Sequence, residues 1–390
     1  MPSEINERAK DQECQVDFID LKEQNNSAFI CNRFVTTTIT LSNNVSSSEP
    51  NFDTVTKCDA EMQASYPVAK IKVIVKKKCV NGHSQCPGYD KEAGNATSSF
   101  KGHRSLDTDY KMNEVAGVDL NRFKLLLSTL DNALPSKDSN KKKICLENRL
   151  LIFLMKMKLG ITFAALSIIF GIHCTTVSRI FHENLDFLVA GCKNLVFWPS
   201  QYSIKHNMPE CFKTNYENCR VLIDATEFRM ENPAHIDQKI LCYSNYKKGY
   251  RLKVVIGCSP DRMITFISAV YGGRASDVQI TTASELLKLL EPGDIILADK
   301  GFPNIQAKLE ENGNNVIIVM PPFVKNGVLS EEEVKQQYDI ASVRIHIERI
   351  MQRIRIYKIL ELLTSDLVPH IDNILFMCCA LVNLQPPIIK

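Results

Sequence analysis

Apolar positions recur three and four residues apart over residues 120–130 and 146–159, which predicts two amphipathic helices. The polar stretch Pro135-Ser-Lys-Asp-Ser-Asn-Lys-Lys-Lys143 separates them as a solvated linker. Residues 161–170 form a short apolar run that predicts a third helix, and Gly171-Ile-His173 reads as a turn. Residues 175–189 then put Val177, Ile180, Phe181, Leu185 and Leu188 on one helical face, with Thr175, Thr176, Arg179 and His182 on the other. A helix, a glycine turn and a helix that opens on short polar residues is the helix-turn-helix pattern. Such a second helix would lie in the major groove with its first residues, Thr175, Thr176 and Arg179, near the DNA. A helical hairpin used only for packing fits the same pattern.

Beyond residue 219 the period shortens. Runs at 221–229, 251–258 and 263–271 predict three strands, and Pro260-Asp261 marks a tight turn that makes the last two an antiparallel hairpin. Residues 277–290 predict a helix and 294–299 and 316–320 two further strands. A long helix follows over 331–363, with room for a break, and a final apolar helix over 371–384 stops before Pro386-Pro387. Three antiparallel strands followed by helix–strand units is the order of a ribonuclease-H-like domain. The expected fold is therefore α/β: a mixed five-stranded sheet flanked by helices, behind a small all-α helix-turn-helix domain and a largely irregular N-terminal region. The expected divisions are 1–112, 113–200 and 215–390. Residues 1–110 are rich in Ser, Thr, Asn and Lys, and only the alternating run 68–75 predicts a strand there.

Composition narrows the class. At 390 residues, 45% hydrophobic and 23% charged, the chain is long enough for a sizeable core. Its net charge of +3 does not by itself argue for nucleic acid, but residues 141–215 hold ten Lys/Arg against four Asp/Glu. The fourteen cysteines are too sparse for a disulfide scaffold, and Cys242, Cys258, Cys378 and Cys379 sit in apolar runs, as reduced thiols do. No basic-then-apolar leader opens the chain, and the apolar stretch 150–172 is interrupted by Lys156, Lys158 and Gly160, so neither a signal peptide nor a membrane span is expected. A reducing interior follows, cytosol or nucleus. The lysine runs 76–78 and 141–143 fit nuclear-import signals or plain solvated segments. Cys79, His83 and Cys86 supply three ligands, one short of a structural zinc site, and read as ordinary loop residues unless His103 or Cys58 completes them.

Three acids carry the candidate chemistry. Asp224 follows Val221-Leu-Ile223 in a strand too apolar to be exposed on both faces, where an unpartnered carboxylate would cost roughly several kcal/mol. Strand parity puts Asp224, Thr226 and Phe228 on one face and Glu227 on the other, which sets Glu227 aside. Asp299 ends Ile295-Ile-Leu-Ala298, and sites form at the carboxyl ends of α/β strands; Gly301 would permit a sharp exit. Glu348 borders a stripe of Ile347, Ile350, Met351 and Ile354, one turn from Arg344 and Gln352. Two strand aspartates and a helix glutamate can converge on two divalent ions, about 3.5–4 Å apart, that activate water and stabilise the leaving oxygen of a phosphodiester. Mg²⁺ needs only a few such oxygen ligands. Arg344, Arg349, Arg353 and Arg355 could contact phosphates beside the cut, and a solvated basic face fits each of them equally. Asp277 should open a helix, because Ser276 and Gln279 have capping-box spacing; there it would complement the helix dipole or join the metal cluster. Each acid alone also fits a plainer role: a buried salt bridge for Asp224, an Asp-Lys-Gly turn for Asp299, a surface pair with Arg344 for Glu348.

Taken in order, these stretches resemble PIF/Harbinger-type DDE transposases and the host nuclease-like proteins derived from them. The resemblance rests on Phe170-Gly-Ile-His-Cys-Thr-Thr-Val-Ser-Arg-Ile-Phe181, Trp198-Pro199, Ile223-Asp-Ala-Thr-Glu-Phe228, Tyr243-Ser-Asn-Tyr-Lys247 and Lys253-Val-Val-Ile-Gly-Cys-Ser-Pro260. Further along it rests on Tyr271-Gly-Gly-Arg-Ala-Ser-Asp277, Ala298-Asp-Lys-Gly-Phe302, Pro321-Pro-Phe323, Arg344-Ile-His-Ile-Glu-Arg349 and Asn383-Leu-Gln-Pro-Pro387. It covers residues 115–390 and implies a Mg²⁺- or Mn²⁺-dependent DNA endonuclease or transposase, able to join 3′-hydroxyl ends to target DNA. It carries the catalytic acids onto Asp224, Asp299 and Glu348, with Asp277 as a further metal ligand. Transposon ends or target DNA, a Myb-like DNA-binding partner protein, a homo-oligomer and the nucleus are the implied context. All four acids are present, so the alternative, a domesticated DNA-binding or adaptor protein without required catalysis, finds no lost residue in its favour.

Overall fold

Among the described residues, five α-helices precede the short helices that lead into the sheet. In this computed structural model, residues 100–134, 144–303, 305–311, 315–323 and 329–386 are described, all within the unit Val73–Lys390. The expected strand at 68–75, the Cys79/His83/Cys86 group, both lysine runs, the linker expected over 135–143 and all residues up to 99, expected to be irregular, lie outside them. Helix α1 (Asp109–Ala116) begins where the Thr108 side chain accepts the Lys111 backbone N–H, ahead of the division expected at 113. Helices α2 (Leu120–Ala133) and α3 (Leu146–Leu159) match the periodicity, and α3 is buried on every face from Arg149 to Met157. Helix α4 (Phe163–Phe170) is capped by Thr162 and ends at Gly171, whose φ of 62° lets the chain turn into α5 (Cys174–Gly191). The two cross at 106°, a helix-turn-helix angle. Val177, Ile180, Phe181, Leu185 and Leu188 of α5 are buried, as their spacing predicts.

Short helices α6 (Gln201–His206) and α7 (Glu210–Lys213) lead into the sheet. Its central strand is β1 (Cys219–Met230). Helix α8 (Ile236–Cys242) and the bridge β2 (Tyr243–Ser244) precede β3 (Gly249–Cys258), which runs antiparallel to β1 with Asp224 opposite Ile256. The expected third strand is split into β4 (Ile264–Ile267) and β5 (Tyr271–Gly272), both paired with β3. Ser268 marks the break: its hydroxyl accepts the Val255 N–H and donates to the Ala269 carbonyl, so a side chain replaces a ladder bond.

Helix α9 (Asp277–Ala283) opens on the expected capping box, with both Ser276–Gln279 bonds formed. The helix expected over 277–290 breaks at Ser284, whose hydroxyl bonds the Thr281 carbonyl, and resumes as α10 (Leu286–Leu289). Strand β6 (Ile295–Leu297) pairs parallel with β1, and after α11 (Ile305–Glu311) strand β7 (Ile317–Val319) pairs parallel with β6. Helix α12 (Glu331–Arg355) starts at a second capping box, Ser330–Glu333, with three glutamates in its first turn. It stops short of 363 because Leu362–Leu363 leave as β8, parallel to the end of β1. The buried helix α13 (Ile371–Asn383) closes the fold.

The sheet thus has eight strands, with the path β2-β3-β1-β6-β7 and β4, β5 and β8 as side branches. One face packs Val221, Ile223, Val255 and Ile296 against Ile280 of α9, Leu286 and Leu287 of α10 and Leu309 of α11. The other face meets α12 and α13. This is a ribonuclease-H-like sheet preceded by a helical layer. Helix α13 also packs on α5, and the Asn383 amide bonds the Ile264 backbone and the Leu195 carbonyl. Among the described residues no single helix is long and apolar enough to cross a membrane.

Candidate active site

Parallel pairing of β1 and β6 sets Leu222 opposite Leu297. Two residues further along each chain stand Asp224 and Asp299, so neighbouring strands deliver both carboxylates to one edge of the sheet, on the parity that faces α12. Their surroundings differ. Asp224 accepts the Ala225 backbone N–H at 2.9 Å and is partly buried in the strand. Burial pushes its carboxyl up to about 6; Arg344, the Ala225 N–H and Arg355 oppose the rise and Asp299 adds to it. The Asp299 side chain is 49% exposed and accepts a hydrogen bond from the Arg344 Nη1 at 3.1 Å.

Helix α12 lies over this edge. Ile340, Val343, Ile347, Ile350, Met351 and Ile354 form its buried stripe. Arg344, Glu348 and Arg355 share an arc of about 40° at 100° per residue. Both arginines act on Asp224, and Glu348 lies between them on the same side of the helix. Glu348 is exposed and has no ionic partner among the described residues, because Arg344, one turn away, is bound to Asp299. The expected surface pair Glu348–Arg344 is not formed.

Asp277 occupies an adjoining network. Its Oδ1 lies 3.2 Å from the Lys253 Nζ, which also lies 3.3 Å from Glu227 Oε1; the Arg251 Nε lies 3.7 Å from Glu227 Oε2. Glu227 is thus balanced by two cations on the face opposite Asp224, as parity predicts. The other Asp277 oxygen sits against Gly301, where a Cβ would come within 2.7 Å of it. Gly301 does not have positive φ, so it serves no sharp exit; a side chain there would displace the Asp277 carboxylate. Lys253 was not singled out from sequence; Arg355, read there as a phosphate contact, acts here on Asp224.

The remaining residues read as DNA contacts scatter over two surfaces. Thr175 and Arg179 are exposed on α5 and Thr176 is half-buried; Arg179 lies 3.7 Å from Glu183. His182 departs from the expected polar face, stacking on His370 at 4.3 Å. Arg349 is half-buried, and Arg353 donates to the Pro386 carbonyl at 2.8 Å.

Among the described residues, no three of Asp224, Asp277, Asp299 and Glu348 bring their oxygens within 4.8 Å of one another. Their donor chemistry nonetheless fits a divalent cation: oxygen atoms alone, one carboxylate desolvated in a central strand, and an unpaired glutamate on the facing helix.

A ribonuclease-H-like sheet with one aspartate inside its central strand, a second just past the end of the neighbouring strand and a glutamate-bearing helix packed on that face defines a class of nucleases and strand-transfer enzymes. Residues 223–383 match the family of the DDE superfamily endonuclease, and residues 142–191 match the helix-turn-helix of DDE superfamily endonuclease. Both matches support the DDE transposase superfamily, whose enzymes generally use divalent metal ions. No curated protein and no solved structure matches the chain significantly.

Proposed function

We propose that this protein is a divalent-metal-dependent DNA endonuclease of the PIF/Harbinger transposase type, acting on transposon ends or target DNA in the nucleus. The observation that carries the reading is the parallel register that brings partly buried Asp224 of β1 beside Asp299, just past the end of β6, on the face packed by α12. Asp224 and Asp299 would hold Mg²⁺ or Mn²⁺, two ions by the usual chemistry, and Glu348 would complete one site; Asp277 stands ready at Gly301. When bound, such ions activate water, or a freed 3′-hydroxyl, and stabilise the leaving oxygen. Arg344 holds Asp299 in place, and were that carboxylate to bind a metal, its guanidinium would be free for a phosphate. Thr175, Thr176 and Arg179 on α5 would engage DNA, with Arg349 and Arg353 closer to the cut. The divisions 113–200 and 215–390, a Myb-like partner and a homo-oligomer belong to this reading.

Cleavage of terminal-repeat DNA by the purified full chain, with Mg²⁺ or Mn²⁺ and not without, is the expected result. Equal activity in Asp299→Ala would sink the site. One observation favours a second reading, a domesticated DNA-binding or adaptor protein: the Arg344–Asp299 ion pair gives that carboxylate a structural role. DNA binding without cleavage, unaffected by Asp224→Ala, would decide for it.

A further inference from the structure

A group of side chains outside the catalytic edge has donor atoms of three kinds drawn together. His103, Cys145 and Glu147 bring a ring nitrogen, a thiol sulfur and a carboxylate oxygen within 4.8 Å of one another. His103 lies in a 3₁₀ turn, Gly102–Ser105, and the other two flank the start of α3. Asn148 clamps the pieces: its Oδ1 accepts the His103 backbone N–H at 2.8 Å and the His103 Nδ1 lies 3.1 Å from it. A Cβ on Gly102 would fall 2.3 Å from the same oxygen, so the close approach depends on glycine there.

Cys145 occupies the N-cap of α3, where an oxygen-bearing side chain would ordinarily close the helix, yet its side chain makes no capping bond. Its Sγ instead lies 3.9 Å from the His103 Nδ1. Bond lengths of about 2.3 Å to sulfur and 2.0–2.1 Å to nitrogen place the two donors of a tetrahedral zinc roughly 3.5 Å apart. The observed separation is within a few tenths of an ångström of that. A thiolate and a carboxylate together balance a dication, and a sulfur, nitrogen and oxygen set selects a borderline transition metal over Mg²⁺ or Ca²⁺.

We propose that His103, Cys145 and Glu147 bind a Zn²⁺-class ion that ties the 3₁₀ turn to the start of α3. Three protein donors leave the fourth tetrahedral position to water. Binding through the His103 Nδ1 releases its contact with the Asn148 amide, which keeps its bond to the His103 backbone. The site is chemically separate from the carboxylate edge and does not depend on whether that edge cuts DNA.

The test uses the full chain, stripped of metal and titrated with Co²⁺ as the spectroscopic probe. The expected result is a thiolate-to-cobalt charge-transfer band that Zn²⁺ displaces, and one equivalent of bound ion fewer per chain in Cys145→Ser. Cys211→Ser, at another exposed cysteine, keeps the full stoichiometry. Zn²⁺ should raise the melting temperature of the wild type more than that of Cys145→Ser, whose serine suits the N-cap and preserves the helix. A Cys145→Ser chain that binds as many equivalents as the wild type, or an unchanged Zn²⁺-dependent stabilisation, overturns the proposal; His103→Gln must lose the same equivalent.

Discussion

At Asp224 two demands conflict. An isolated fold would be better served by a neutral group in this strand, because burial holds the carboxyl at about 6 instead of the usual value near 3.8. A raised folded-state value means that the folded chain takes up a proton the unfolded chain has already lost. Metal-free stability is therefore highest below pH 3.8 as far as this group is concerned, and falls as pH rises to about 6. Asp224→Asn should remove that loss, stabilising the metal-free protein at pH 7 by up to about 3 kcal/mol while abolishing metal-dependent cleavage. Urea denaturation at pH 5 and pH 7.5 checks the first part; a destabilised variant at the higher pH would contradict it. Arg344 moderates the same group. Its replacement by glutamine should move the acid limb of the cleavage pH profile upward by about one unit, since a cation that favours the charged form is lost. An unmoved limb would mean that Arg344 acts elsewhere.

Among the elements, the Asp299 turn and α9 meet at a single point. Gly301→Ala should push the Asp277 carboxylate away from that turn and lower cleavage at least tenfold, with a melting temperature nearly unchanged. Restored activity in a variant that keeps the alanine but shortens nothing else is not expected, and full activity in Gly301→Ala would show that Asp277 is not needed there. On α5, Thr175→Ala and Arg179→Ala should each weaken DNA binding about tenfold without loss of fold, both being exposed. Fluorescence anisotropy at two salt concentrations separates the two, the arginine variant showing the shallower salt dependence. Much of this level was legible in the chain. The α3 limits, the Ser276–Gln279 box, the buried stripe of α12 and the parity that separates Glu227 from Asp224 all follow from local rules. The breaks at Ser268 and Ser284 were not, because single hydroxyls there outcompete the ladder and the helix. Nor was the partner of Arg344: helical spacing offers Glu348 and only the parallel register of β1 and β6, set across more than seventy residues, offers Asp299.

For the molecule as a whole, divalent ions should act as stabilisers as well as cofactors. A ligand at one hundred times its dissociation constant adds about 2.7 kcal/mol to the folded state. Mn²⁺ should raise the melting temperature of the full chain more at pH 7.5 than at pH 5, where the Asp224 proton competes for the same oxygen, and should do little in an Asp224→Asn, Asp299→Asn double variant. Calorimetry across that pH interval checks this, and a pH-independent shift would point to binding elsewhere. The placement of α13 sets a broader condition. It lies between the sheet and α5, with Asn383 stitched to Ile264 on one side and Leu195 on the other, while His370 just before it covers His182. A helix-turn-helix and a carboxylate-bearing sheet that lean on one shared beam cannot be exchanged as cassettes. Grafting α4 and α5 onto another protein would strip the beam of its cover, and trimming the last turns of α13 would loosen both together.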